Sequence, residues 1–298
     1  MDIDILIWLG EHRTGFLTAL MSAITYLGSE VLIIGIACLT YWCLNKRAGN
    51  RMLLTLFVGI LTNQLLKITC CVRRPWVRDA RVVPVESAIS GATGYSFPSG
   101  HTANSMCGYG SLTREKTLKR FRWLFWVLPV LIGFSRLYVG VHTIQDVLVS
   151  LVLGVATVLL MDRLSERLER TPGMDVWVAG IGIALSVGLA LYARFKPYPA
   201  GETVDYSIDA LKLAGGAVGV FAGWLVERHC IRFHTPDTTV KKLIRFLGGM
   251  VVLLAIMKGL KPLLNAALGL SVGSFVRYLL VGLFATMGWP LIFKKAGF

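Results

Sequence analysis

Long runs of apolar residues recur along this chain, separated by short polar stretches where most of the charge collects. A helix needs about 17 to 25 such residues to cross the hydrocarbon core of a bilayer. The pattern predicts helices over 31–45, 52–72, 101–113, 121–138, 142–162, 175–193, 207–227, 246–266 and 273–293, with 31–45 and 101–113 short for a full crossing. A further apolar stretch at 5–28 is broken by Glu11, His12 and Arg13, which leaves open whether it crosses or lies along the interface. The expected fold is all-α, a polytopic membrane bundle of about nine or ten helices. A polar stretch at 163–174 (RLSERLERTPGM) is expected to be a cytoplasmic linker, dividing a bundle at 1–162 from four C-terminal helices at 175–298.

Composition agrees with a bilayer environment. Of 298 residues, 55% are hydrophobic and only 16% charged, against about 25% charged in ordinary soluble domains; mean hydropathy is +0.64. The formal net charge of +14 does not point to nucleic acid, because the charges sit in short loops between apolar runs rather than along one face. They are a topology signal. Basic clusters at 46–51, 114–122, 163–170, 228–245 and 294–295 fall on one side when the helices are counted, and the positive-inside rule assigns that side to the cytoplasm. The loops at 72–100, 139–141, 194–206 and 267–272 fall on the other. The N-terminus, Met-Asp-Ile-Asp, lacks the basic region and cleavage site of a signal peptide. Cys38, Cys43, Cys70, Cys71, Cys107 and Cys230 form no CxxC pair and no metal-ligand spacing. Neither metal nor other cofactor is expected.

Three segments place costly polar groups at the membrane depth where such groups are usually functional. In the first, Lys67 and Arg74 are seven residues apart, two helical turns, so their side chains are expected to point the same way on a helix that Pro75 ends; snorkelling to headgroups is the plainer reading and explains Arg74 alone equally well. In the second, Ser99-Gly100-His101 opens a helix. Ser99 is placed to cap it, and the free N–H groups of a helix start suit an anion; an ordinary cap followed by a buried histidine is the plainer account. In the third, Ser135-Arg136 precedes His142 and Asp146, which stand at i and i+4 on one helix face. The carboxylate can hold one imidazole nitrogen and leave the other free to attack, or the pair can be an interhelical polar clamp. All three segments map to the side opposite the basic loops. Cations, backbone donors and two histidines around one point suit phosphoryl transfer without metal.

The ordered pattern K-x6-RP, PSGH and SR-x5-H-x3-D, at Lys67, Arg74 and Pro75, at Pro98 to His101, and at Ser135, Arg136, His142 and Asp146, resembles the signature of the type 2 phosphatidic acid phosphatase superfamily. The resemblance covers roughly residues 30–162 and makes 1–162 the expected phosphatase core. It implies a helical bundle in which His142 is the nucleophile and forms a phosphohistidine, Asp146 orients it and His101 protonates the leaving oxygen. Lys67, Arg74, Ser99, Gly100 and Arg136 would hold phosphate oxygens. The implied partner is a lipid phosphate at the outer leaflet of the plasma membrane, with undecaprenyl diphosphate first and phosphatidate, phosphatidylglycerol phosphate and sphingoid phosphates as alternatives. A lipid phosphotransferase is a sister possibility. A transporter would leave the three motifs unexplained and lacks the internal repeat such folds usually carry. Lys258, Lys261 and Arg277, near the same side in the last two helices, are candidates for substrate capture, with snorkelling the plainer reading.

Overall fold

The computed structural model describes residues 2–199, 202, 204–236 and 238–298. Among them the secondary structure is helical throughout. Two short helices, α1 (Asp2–Glu11) and α2 (Gly15–Tyr26), come from the interrupted 5–28 stretch. They part at His12–Thr14, where Thr14 caps α2 by accepting from Leu17 N. Arg13 does more than interrupt: it donates to the carbonyls of Tyr138 (3.0 Å) and Val83 (2.6 Å). α3 (Glu30–Leu39) continues through a π turn, Thr40–Leu44, and lies 47° off α2, so the two together form a bent apolar pair, a broken span or a re-entrant loop by length and composition. α4 (Lys46–Cys70) starts on the Asn45 cap and ends with Cys71 in the left-handed region.

One sequence expectation fails here. No continuous helix joins Lys67 to Arg74; α4 stops at Cys70, and Pro75 opens a one-turn helix, α5 (Pro75–Arg78), with Arg74 as its N-cap. After a second short helix, α6 (Glu86–Ile89), the central α7 (Gly100–Ser111) begins. At 12 residues it is too short to cross alone, and it packs inside a ring of α4, α8 (Arg122–Tyr138) and α9 (Ile144–Arg170). Small residues permit that closeness. A Cβ on Gly154 of α9 would stand 2.6 Å from Met106, and one on Gly59 of α4 would stand 2.4 Å from Cys107. The outer faces of α8 and α9 are apolar and bare, with Val130, Leu148, Val152 and Leu160 all at least half exposed, as a lipid-facing surface requires.

The remaining helices are α10 (Met174–Phe195), α11 (Ile208–Val226), α12 (Thr239–Leu283) and α13 (Trp289–Ala296). α12 is two helices meeting at Gly269, whose φ of 75 lies in the region that favours glycine. The arms fold back on each other: Gly273 sits against Leu264, and Trp289 donates to Arg245 O at 2.7 Å. Gly215, Gly219 and Gly223 at four-residue spacing let α11 touch the second arm, the small-xxx-small packing of membrane helices. Six helices among the described residues are long and apolar enough to cross a membrane, or seven with the bent pair. Since the Thr239–Ala296 span folds back at Gly269, it supplies two of the expected passes.

The basic loops gather at one end of this bundle. Lys46 pairs with Glu227, Arg51 with Glu115, Arg114 with Asp162 and Glu166, and Arg228 with Asp175. The other end holds the three polar segments.

Candidate active site

His142 sits in the turn between α8 and α9 and is 1% exposed. Its Nδ1 lies 3.1 Å from Asp146 Oδ2 and its Nε2 lies 3.0 Å from Arg74 Nη1. A guanidinium has donors only, so Nε2 must be the acceptor and carry the lone pair, while Nδ1–H donates to Asp146. The tautomer is thus set by two neighbours. Burial, then the Arg74 charge, holds the imidazole below its ordinary value of 6.5, hence neutral. Asp146 Oδ2 also accepts from Ser96 Oγ (2.5 Å) and from Thr143 N at the start of α9 (2.9 Å), so the carboxylate that orients His142 is itself held by three donors.

Arg74 is more committed than its sequence position suggests. It donates from Nε to Gly94 O (3.0 Å), from Nη2 to Thr93 O (2.6 Å) and from Nη1 to Val141 O (3.2 Å), besides facing His142. It therefore staples the loop before α7 to the α8–α9 turn. Lys67 donates to Tyr95 O at 2.8 Å and is 6% exposed. Arg136, 1% exposed, donates from Nη1 to Thr25 Oγ1 at 3.0 Å, and its Nε and Nη2 have no partner. Orphaned guanidinium donors at that depth are costly unless an anion meets them.

The start of α7 suits an anion too. The expected side-chain cap from Ser99 is not made. Instead Ser99 Oγ accepts from Thr102 Oγ1 (2.9 Å) and Ser99 N donates to Asp146 O (3.1 Å), because the segment is tied to α9 before α7 begins. The first-turn N–H groups are left without an intrahelical partner, and a Cβ on Gly100 would meet nothing within 4 Å. His101 makes no hydrogen bond among the described residues; its ring lies against Gly91.

Lys67, Arg74, Gly100, His101 and His142 line one pocket of ≈ 150 Å³, so the structure joins the three segments. Ser99, Arg136 and Asp146 are not among its lining residues. The C-terminal helices complete it with Asp209, Lys212 and Leu213 of α11 and Tyr278 of α12, and α3 contributes Glu30. Sequence reading missed these. Charged residues at the edges of the apolar runs at 31–45 and 207–227 were the available signal. Lys258, Lys261 and Arg277 do not line the pocket. Lys258 and Lys261, on the first arm of α12, are exposed, and Arg277, on the second, is buried beside the Tyr278 ring with Nε and Nη1 unpaired; on that second arm Tyr278, not Arg277, lines the cavity. Among the described residues no three His, Cys, Asp or Glu side chains group as metal ligands.

Comparison with known proteins agrees with this arrangement. The PAP2 superfamily model matches residues 48–170, and the model described as PAP2 superfamily phosphatase, transmembrane extension, matches residues 211–298. Phosphatidylglycerophosphatase B of Bacillus subtilis (strain 168) is 30% identical over 175 residues, covering 53% of this chain and 80% of that protein. Lipid phosphate phosphatase delta of Arabidopsis thaliana is 24% identical, covering 91% of this chain and 70% of that protein. Undecaprenyl-diphosphatase BcrC of Bacillus subtilis (strain 168) is 29% identical, covering 56% and 84% respectively. No solved structure matches. The two models fall on the helices that wall the pocket from either side, and the chain belongs to the PAP2 superfamily as a multi-span membrane phosphatase.

Proposed function

We propose that this protein removes a terminal phosphate from a membrane lipid through a covalent intermediate on His142. The observation that carries the reading is the fixed tautomer, which leaves the Nε2 lone pair on the pocket side and ties the Nδ1 proton to Asp146. An incoming phosphate takes over the Arg74 donor now spent on Nε2. Nε2 then attacks phosphorus, the bond to the lipid oxygen breaks, and His101, which burial holds neutral until it takes up a proton with the arriving phosphate anion, gives that oxygen its proton. The imidazolium that results is stabilised by Asp146. Neutral His101 next takes a proton from water, the oxygen attacks phosphorus, the P–N bond breaks and its electrons return to Nε2. Lys67, Arg74, Arg136 and the first turn of α7 neutralise the phosphoryl oxygens throughout, which is where most of the catalysis of such transfers lies. No step needs a metal.

The basic loops gather at the opposite end, so the pocket opens on the extracytoplasmic side of the plasma membrane. The first reading of the substrate is undecaprenyl diphosphate: Lys212, paired with Asp209 at 2.8 Å, is a further cation on the pocket wall for a second phosphate to engage, and a relative carries that activity in its name. Glu30 favours a second reading. It lines the pocket and has no hydrogen bond or ion pair among the described residues, so it suits a lipid with an ammonium or hydroxyl beside its phosphate, such as a sphingoid phosphate. Phosphate release by purified protein from undecaprenyl diphosphate, phosphatidate, phosphatidylglycerol phosphate and a sphingoid phosphate separates them. Preference for the diphosphate is expected; a sphingoid preference lost on Glu30→Gln establishes the second reading, and release from none contradicts both.

A further inference from the structure

The catalytic pocket opens in two directions of opposite chemistry. Through Arg74, Thr93, Asp209 and Lys212 it joins a cleft of ≈ 380 Å³ among the polar loops. Through Glu30, Leu213 and Tyr278 it joins a groove of ≈ 160 Å³ whose other walls are almost wholly apolar. That groove runs down α3 from Glu30 past Ile34 to Cys38, a rise of roughly 12 Å. Phe57 of α4 and Val281 of α12 face it as well, and Gly216 and Gly282 line it where the α11 and α12 backbones meet. Val31 and Leu254 line the groove and are 57% and 41% exposed, which opens it onto the lipid-facing surface.

We infer that this groove holds the hydrocarbon chain of the lipid whose phosphate sits between His101 and His142. The inference rests on the phosphatase reading above and names what that reading leaves out: the subsite for the chain, built by α3, α4 and the C-terminal helices. Continuity with the catalytic pocket identifies the occupant. A molecule that places its phosphate on His142 and leaves through Glu30 and Tyr278 has only apolar surface ahead of it, whereas released phosphate has the polar cleft. A cavity of this volume takes a benzene-sized ligand, so it accepts about the first six to eight carbons and leaves the rest of the chain in the bilayer.

The test is phosphate release by the full-length protein, at fixed detergent concentration, from linear alkyl phosphates of increasing length. In wild type kcat/KM should climb by up to ~4-fold per methylene, the value of burying one CH₂, and level off near eight carbons. Val281→Trp and Ile34→Trp fill the groove without touching the catalytic groups. Each should lower kcat/KM at least 100-fold for a long chain while leaving the two-carbon ester within threefold, which also shows that the variant is folded and active. Rates independent of length in wild type, or equal losses on short and long esters, would overturn the groove assignment while leaving the phosphatase reading intact. Release from no member of the series would overturn that reading and the groove with it.

Discussion

Both ends of the bundle are rich in Lys and Arg, yet they spend the charge in opposite ways. At the basic end Lys46 reaches the fully buried Glu227 at 2.6 Å and Arg51 reaches Glu115 at 2.6 Å, while the buried Arg245 is held by the carbonyls of Trp42 and His234. Around His142 three cations meet neutral acceptors, although Lys212 of α11 pairs with Asp209 at 2.8 Å. Lys67 donates to Tyr95 O, Arg74 to Gly94 O and Thr93 O, and Arg136 to the Thr25 hydroxyl with two donors left over. Hydrogen bonds to carbonyls hold a guanidinium in place without cancelling its charge, so the pocket end stays poised for an anion. The Lys46, Arg51 and Arg114 charges are neutralised locally and serve topology and packing. One set of residue types thus does structural work at one end and binding at the other, according to the partner.

The largest break in this contrast comes from the nucleophile. His142→Ala should lower turnover about 10⁵-fold with the fold intact, since nothing else in the pocket is placed to attack. Asp146→Asn should cost about 10⁴-fold, because the amide cannot hold the Nδ1–H tautomer in the same way. Phosphate release with a soluble ester reads both, and wild-type-like rates in the His142 variant would contradict the assignment.

Next come the cations, where the two ends should respond in opposite currencies. Arg136→Gln should lower kcat/KM about 10²- to 10³-fold while leaving thermal stability unchanged or slightly raised, because two unpaired buried donors disappear. Glu227→Gln should do the reverse, costing about 3 kcal/mol of stability by stranding Lys46 with kcat/KM of the folded protein unchanged. Melting curves and kinetics on both proteins decide this.

The pH response is smaller. The His142 value is depressed, so its unprotonated, attacking form persists as pH falls and is lost only below pH 6.5. An NMR titration of labelled imidazole should show the neutral Nδ1–H form at pH 6.5. A His142 that protonates above that pH would contradict burial, aided by the Arg74 charge, as the source of the shift. Smallest of all is the exposed pair Arg47–Glu169, at 3.5 Å with side chains 84% and 55% exposed. Glu169→Gln should change stability by less than about 0.5 kcal/mol and activity not at all.

How much of this was legible in the sequence depended on whether the signal was local. His142 and Asp146 meet as their spacing suggests, yet not on one helix face: α9 begins at Ile144 after the extended Thr143 cap, and Asp146 in its first turn reaches back to His142. The helices themselves follow the apolar runs. The meeting of Lys67 and Arg74 came out right for the wrong reason: the chain turns after Cys71, and tertiary folding does what helical periodicity was expected to do. Ser99 has the sequence of a cap but is drawn to Thr102 and α9 instead, a competition invisible in one dimension. Glu30, Asp209, Lys212 and Tyr278 reach the pocket from elements far along the chain. Which face of α12 turns inward depends on the fold at Gly269 and on glycine contacts with α11, so Arg277 looked as eligible as Tyr278.

The central claim is that phosphate passes through Nε2 of His142. Its most direct test is to mix the enzyme with a ³²P-labelled lipid phosphate in the presence of EDTA, quench in alkali within one turnover and map the label by mass spectrometry. The account predicts an acid-labile, base-stable phosphoryl group on His142, formed without added metal and absent from His142→Ala. Label on another residue, or turnover that continues in His142→Ala, would contradict it.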